Sequence, residues 1–188
     1  ILLMTTSFIR IVVVLSFLRQ AMGTQQMPPN QIIIGLSMFL TFFIMTPVFT
    51  QINENALQPY LNEEVNESTA LEQAIDPMRE FMFGQVREAD LKLMTDLARQ
   101  EAPENRSEVS TLTLIPAFML SELKRAFQIG FMVFVPFLVI DMITASVLMT
   151  MGMLMLPPII ISLPFKILLF VLVDGWNLIV GSLMQGFY

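Results

Sequence analysis

Residues Met149–Lys166 read MTMGMLMLPPIIISLPFK, and this stretch joins two long apolar segments of the chain. Methionine occupies every second position from Met149 to Met155, with Gly152 among them, and Pro157–Pro158 close the run. Methionine is unbranched and polarizable, so its side chain can repack around different partners. Proline cannot continue a helix, because it lacks the N–H group and clashes with the preceding turn. The stretch therefore predicts a soft, apolar turn between two hydrophobic helices.

The composition on either side of this turn indicates a membrane protein or a subunit buried in an assembly. The 188 residues are 55% hydrophobic and 14% charged, whereas soluble domains carry about 25% charged residues. The chain begins at Ile1 inside an apolar run, and we expect further residues upstream. No basic stripe is present, so nucleic acid is not an expected partner.

Catalysis is disfavoured by the residue types that the sequence lacks. There is no cysteine and no histidine, which removes thiolate chemistry, the commonest metal ligand and the commonest general base. The acids Glu122, Asp141 and Asp174 have no nucleophile and base beside them, and no glycine-rich phosphate loop exists. We therefore expect no enzyme activity, no cofactor and no metal.

The charged residues divide the chain into three segments. Residues 51–111 contain 13 acidic and 5 basic residues, and the rest of the chain contains 3 acidic and 5 basic residues. We predict an all-α fold with a hydrophobic helical hairpin at 1–50, an acidic helical insert at 51–111 and a second hydrophobic hairpin at 112–188. The insert is poor in Lys and Arg, which favours the non-cytoplasmic side of a membrane.

Local signals set the expected helix ends. Gly23 is a plausible C-cap of the first helix, and Asn30 can cap the second. Residues 31–50 are apolar over about the length that crosses a bilayer, with a kink expected at Pro47. Residues 51–69 are expected to be a solvated connection with short helical pieces. Residues 70–101 are expected to be helical, with a break or helix start at Asp76–Pro77 and one apolar stripe, formed by Leu71, Ile75, Met78, Met82, Val86, Ala89, Leu93 and Leu97.

Ionisable residues in the apolar segments require partners or a polar exit. Lys166 needs such a partner most clearly, because apolar residues flank it on both sides. Its candidate partners are Glu122, Asp141 and Asp174. Glu122 could reach it on a neighbouring helix or a neighbouring subunit, and snorkelling of Lys166 to a headgroup is the alternative. Arg10 and Arg19 are nine residues apart, so they face opposite sides of a helix and at least one should contact solvent, headgroups or another chain.

Several long motifs resemble the FliP family of flagellar type III export proteins, whose virulence-secretion counterparts are named SctR. Leu154 stands where relatives often carry a further Met. The resemblance covers essentially the whole chain, and its motifs are residues 4–49, DPMREFM at 76–82, READL at 87–91, FVPFLVID at 134–141, MTMGMLMLPP at 149–158 and LPFKILLFVLVDGW at 163–176.

The resemblance implies a pore subunit of the protein export gate. Several copies would form a helical, ring-like oligomer with FliQ and FliR, working with FlhA and FlhB to pass unfolded export substrates. The location implied is the bacterial inner membrane and flagellar basal body, with the acidic insert and much of the complex on the periplasmic side. The resemblance further implies a pore gate formed by Met149, Met151, Gly152, Met153, Met155, Pro157 and Pro158, and subunit-packing charges at Arg10, Arg19, Glu122, Asp141, Lys166 and Asp174.

Other interpretations of the residues remain open. The methionines could fill a core within the chain instead of forming a gate. The whole chain could be a stand-alone polytopic membrane channel or small-solute transporter, which would run as a monomer or dimer after gentle solubilisation. A scaffold that only anchors a membrane ring is a third interpretation, and it predicts that leucine can replace the methionines without consequence.

Overall fold

A computed structural model describes residues 2–24, 26–98, 105–153 and 155–187, and all of its regular elements there are helical. This confirms the predicted all-α class. Short 3₁₀ turns lie at Leu2–Thr5 and Arg106–Glu108, and a π-helical turn lies at Asn53–Leu57. The α-helices are α1 (Phe8–Met22), α2 (Asn30–Ile52), α3 (Gln58–Leu61), α4 (Glu67–Gln85), α5 (Glu88–Leu97), α6 (Thr111–Thr150), α7 (Pro158–Leu172) and α8 (Gly175–Gln185).

The end of α1 follows the prediction, and α2 ends at Ile52, two residues beyond the predicted apolar segment. Gly23 adopts a left-handed φ of 73° directly after α1, and its N–H donates to the Gln20 carbonyl at 3.1 Å. α2, however, passes through Pro47 and continues by the π-helical turn into α3, so the helical path reaches Leu61. The expected solvated connection with short helical pieces is confirmed, since Asn53–Leu57 and Gln58–Leu61 are short helical elements and most side chains of residues 51–64 are exposed.

Within residues 70–98 the chain forms two helices, α4 and α5, and the break between them does not lie at Asp76–Pro77. Asn66 caps α4, with its Oδ1 accepting the Thr69 N–H at 2.9 Å, and α4 then passes through Pro77 without ending. The break lies instead at Val86 and Arg87, which are extended. A tertiary acceptor accounts for the break: the Arg87 N–H donates to Ser121 Oγ on α6, at 3.0 Å.

The predicted apolar stripe is only partly buried. Met82 is buried in a core with Val109, Leu114 and Phe118, and the Phe81 ring lies 6.0 Å from that of Phe118. By contrast the side chains of Leu71, Ile75, Leu93 and Leu97 are exposed. The end of α4, together with Val86 and Leu91, therefore packs against the start of α6, and the four exposed leucine and isoleucine side chains lie outside this core.

The C-terminal segment is a continuous α6 of 40 residues followed by a bent pair of helices. α6 runs through Pro116 and Pro136. α7 and α8 meet at an angle of 62°, and Asp174 at the bend has a left-handed φ of 50°. Two helical paths, Asn30–Leu61 and Thr111–Thr150, are long and apolar enough to cross a membrane, or three if the bent pair is one span. The second helical arm of the predicted hairpin at 112–188 is thus the bent pair α7 and α8.

Two compact units make up the chain. The first contains Ile1–Arg10 and Phe39–Arg125, and the second contains Ile11–Met38 and Ala126–Tyr188. The units cut across the three segments that composition predicted, since α1, α2 and α6 each contribute to both. The acidic insert belongs to the first unit, and the methionine-rich stretch belongs to the second.

Candidate functional site

The methionine-rich connection between α6 and α7, residues 149–158, is called the methionine loop. α6 ends in a Schellman motif, in which the Met153 N–H donates to the Leu148 carbonyl at 3.0 Å and the Gly152 N–H donates to the Met149 carbonyl at 3.1 Å. Gly152 provides the left-handed residue that this motif needs, with φ of 73°. Pro157 caps α7 and Pro158 is its first residue. The predicted turn between two helices is confirmed, and Leu154 lies outside the described residues.

The methionine side chains of this loop are exposed. Met149, Met151, Met153 and Met155 have 62%, 66%, 41% and 97% of their surface accessible. They therefore do not fill a core within the part of the chain that the structure describes. An exposed row of large apolar side chains marks a surface that contacts a partner or copies of itself.

An apolar groove continues from the methionine loop along α6 and α7. Its volume is about 480 Å³, and it is lined by residues that include Val147, Met151, Ile161 and Phe165. Both walls are helical and both belong to the second unit. The loop and the groove together leave one continuous apolar surface at this end of α6.

Lys166 on α7 forms an ion pair within the chain. Its Nζ lies 2.6 Å from Asp141 Oδ2 and donates a further bond to the Ala21 carbonyl at 3.0 Å. Ser162 donates to the other carboxylate oxygen of Asp141 at 2.5 Å. The Lys166 side chain is 4% exposed, so the snorkelling alternative is wrong and Asp141 is the partner among the three candidates.

Glu122 is bound by Arg10 in the first unit. Arg10 Nε donates to Glu122 Oε2 at 2.9 Å, and Arg10 Nη2 donates to Glu122 Oε1. Arg10 Nη2 also donates to Gln85 Oε1 at 2.9 Å. The two charged side chains are 1% and 0% exposed. Glu122 therefore has a bidentate partner in its own chain, and its pairing with Lys166 of a neighbouring subunit stays a prediction.

Arg19 and Asp174, the other two charges named as subunit-packing candidates, lie next to turns of the chain. Arg19 is half-buried and donates to Asn30 Oδ1 at 2.6 Å and to the Pro28 carbonyl at 3.3 Å. It thus fixes the connection between α1 and α2. Asp174 is exposed at the α7–α8 bend and is not a partner of Lys166. A role for these six charges in subunit packing stays a prediction.

Sequence reasoning missed the interactions of Arg79. Its guanidinium donates to Thr111 Oγ1 at 2.5 Å and to the Val109 carbonyl at 2.8 Å, and it stacks over the Phe83 ring at 5.5 Å. Arg79 thereby ties α4 to the start of α6. The only indication in the sequence that Arg79 has a role was its place in the motif DPMREFM. A single sequence does not show that two residues 32 positions apart are in contact.

The fold and the site define a class of helical protein whose long apolar helices fit a membrane and whose buried charges pair within the chain. The chain belongs to the FliP family: the family's sequence model matches residues 1–183. It is 57% identical to flagellar biosynthetic protein FliP of Bacillus subtilis, over 100% of this chain and 85% of that one. The protein of the same name from Pectobacterium carotovorum is 54% identical, over 100% and 72%. That of Aquifex aeolicus is 49% identical, over 100% and 79%.

Proposed function

We propose that this chain is a core pore-forming subunit of the flagellar type III protein export gate. Several copies assemble with FliQ and FliR, work with FlhA and FlhB, and pass unfolded flagellar proteins through a channel. The methionine loops of the copies meet at the narrowest part of that channel and close it when no substrate is present.

The observation that carries this proposal is the exposure of all four methionines between the Schellman motif that ends α6 and the prolines that begin α7. The Schellman motif at Gly152 and the prolines at the start of α7 hold the two ends of the loop. The side chains themselves make an apolar surface with flexible ends. Such a loop suits a seal. Its backbone would set the diameter of the ring, and its flexible methionine side chains would adjust to the substrate that passes through.

The physical requirement on such a gate also favours methionine. A channel for many unfolded chains cannot rely on a pocket for one sequence, and it must not conduct ions when empty. An apolar constriction excludes ions by dewetting, and long flexible side chains can yield around any peptide and then close again.

The exposed apolar faces of α2 and α6 support assembly inside a larger complex. Phe39 and Phe43 on α2 and Phe131 and Met132 on α6 are all exposed. Such patches are covered by lipid or by other subunits in a working protein. α2 carries no charge, and Asp141 and Glu122 on α6 are paired with Lys166 and Arg10, so α2 and the segments of α6 around these acids can lie in apolar surroundings. The acidic insert lies on the periplasmic side in this proposal.

The proposal is tested by placing a photo-crosslinking amino acid at Met151 or Met155 in cells that hold a stalled export substrate. The matched control is Leu112, an equally exposed apolar residue on α6. We expect the substrate to crosslink at both methionine positions and not at Leu112. Equal crosslinking at all three positions, or none at the methionines while export continues, would overturn the proposal.

The size of the solubilised protein tests its assembly. The gate subunit should run as a large complex with small hydrophobic partners. A protein that runs only as a monomer or dimer and still supports transport of a small solute would contradict the proposal.

A further inference from the structure

The methionines of the methionine loop differ from the core methionines of this chain in their access to solvent. Met155 is 97% exposed and Met151 is 66% exposed, whereas Met45 and Met82 are 0% and 2% exposed. A methionine side chain carries one reactive group, the thioether sulfur. The loop therefore presents its sulfur atoms to any small reagent that reaches it, and the core methionines do not.

An exposed thioether is a target for peroxides, which convert methionine to methionine sulfoxide. The sulfur lone pair attacks one oxygen of hydrogen peroxide, and an S–O bond forms as the O–O bond breaks. The proton on the transferred oxygen passes to the departing hydroxide, which leaves as water. Sulfur is oxidised by two electrons and the peroxide is reduced by two, so the step needs no cofactor. The chain has no cysteine that could react with the oxidant in place of methionine.

The side chains of the loop offer a sulfoxide oxygen almost no hydrogen-bond donor. Thr150 is the only residue between Met149 and Pro158 whose side chain can donate, and its Oγ1 already donates to the Val147 carbonyl at 2.7 Å. A polar oxygen without a hydrogen bond is unfavourable in apolar surroundings. Sulfoxides on this loop would therefore be hydrated.

The apolar groove beside the loop offers no better donor to Met151. The residues that line it carry one hydroxyl group, that of Thr144, and Thr144 Oγ1 donates to the Ile140 carbonyl at 2.8 Å. The other lining side chains are hydrocarbon or thioether. Oxidation therefore makes the Met151 side chain less compatible with the groove and favours its contact with water.

We propose that the methionine loop is a site of oxidation by peroxides, and that the resulting sulfoxides open the seal of the gate. An apolar constriction excludes ions because water leaves it, whereas polar sulfoxide groups hold water there. The effect on the seal rests on the proposed function. The oxidation of these residues depends only on their exposure.

Peptide mass spectrometry of the assembled complex after treatment with hydrogen peroxide tests the oxidation. We expect Met155 and Met151 to be converted to the sulfoxide several-fold faster than Met45 and Met82. These two residues are the matched controls, because they carry the same reactive group in a buried position. Equal rates at all four residues, or no sulfoxide on the loop, would overturn the proposal.

The ion conductance of the same complex tests the consequence of oxidation. Peroxide treatment should raise the conductance several-fold. The matched control carries leucine at Met149, Met151, Met153 and Met155, because leucine is large and apolar but has no sulfur, and its conductance should not respond to peroxide. A leucine variant that responds as strongly as the unmodified complex would show that oxidation acts elsewhere and that the proposal is wrong.

Failure of this inference can be distinguished from failure of the proposed pore function. Alanine at the loop methionines could raise the conductance while peroxide oxidises the loop and leaves the conductance unchanged. In that case the loop seals a gate that oxidation does not open, and only this inference is wrong. If neither change raises the conductance of a complex that assembles normally, the methionine loop does not form the seal and both proposals fail.

Discussion

The Nζ atom of Lys166 lies 2.6 Å from Asp141 Oδ2, and the Lys166 side chain is almost completely buried. The Ala21 carbonyl and the Ser162 hydroxyl complete the surroundings of the pair. This relationship joins the end of α1, the middle of α6 and α7 in the second unit. It is one of the contacts that hold α7, which follows the methionine loop, to α1 and α6.

Removal of one partner from this pair should destabilise the protein strongly. In Asp141→Ala the buried lysine loses its counter-charge, and breaking a buried pair costs about 3–5 kcal/mol; partial exposure of Asp141 places the expected loss at the lower end of that range. The measurement is the thermal stability of the purified complex. The double variant Asp141→Leu and Lys166→Met should recover most of the lost stability, because it leaves no unpaired buried charge. A double variant whose loss of stability equals the sum of the losses of the two single variants would contradict the account.

In the first unit, removal of one partner from the Arg10–Glu122 pair should also destabilise the protein strongly. Glu122→Ala leaves Arg10 buried without its bidentate acceptor, so we expect a loss of about 3–5 kcal/mol. Glu88→Ala is the matched control, because Glu88 is exposed on α5 and its loss should change stability by less than about 0.5 kcal/mol. Equal effects of the two substitutions on the thermal midpoint would show that the buried pair does not hold α1 to α6.

Gly175 is expected to tolerate no side chain at the α7–α8 bend. A Cβ at this position would lie 2.2 Å from the Phe170 ring, and that ring packs against Phe137 at 6.4 Å and Trp176 at 5.4 Å. Because the ring is held on both sides, Gly175→Ala should cost about 1–3 kcal/mol.

Gly181→Ala in the same helix is the control for that substitution. A Cβ there meets no described atom within 4 Å, and alanine favours a helix over glycine by about 1 kcal/mol. The thermal midpoint should therefore fall for Gly175→Ala and stay or rise for Gly181→Ala. A midpoint that moves equally for both would disprove the close packing at Phe170.

Local features of the fold were predictable from the sequence, and long-range pairing was not. The Gly23 cap and the proline-closed methionine loop follow from properties of single residues. The break at Val86 and Arg87 depends on Ser121, 34 positions away, and no local pattern carries that information. The periodic stripe on α4 and α5 was visible, but periodicity cannot tell a face buried in its own chain from a face left for a partner.

The charge partners show the same limit. Composition indicated that Lys166 needed an acid and named Asp141 among three candidates. The choice among them depends on which helices are adjacent, and the Arg10–Glu122 pair, 112 positions apart, was not predicted at all. Apolar helices of similar hydropathy can pack in many arrangements, so only the folded chain selects the pairs.

The most direct test of the central claim is the ion conductance of the assembled complex after Met151, Met153 and Met155 are changed to Ala. Truncation shortens the apolar tips that are proposed to close the channel, so we predict a several-fold rise in conductance, while export of flagellar proteins partly persists. Leucine at the same three positions should keep most of the seal, because it stays large and apolar. Met132→Ala, at an exposed methionine elsewhere on α6, should leave conductance unchanged. An alanine variant that assembles normally and conducts no more ions than the unmodified complex would contradict the account.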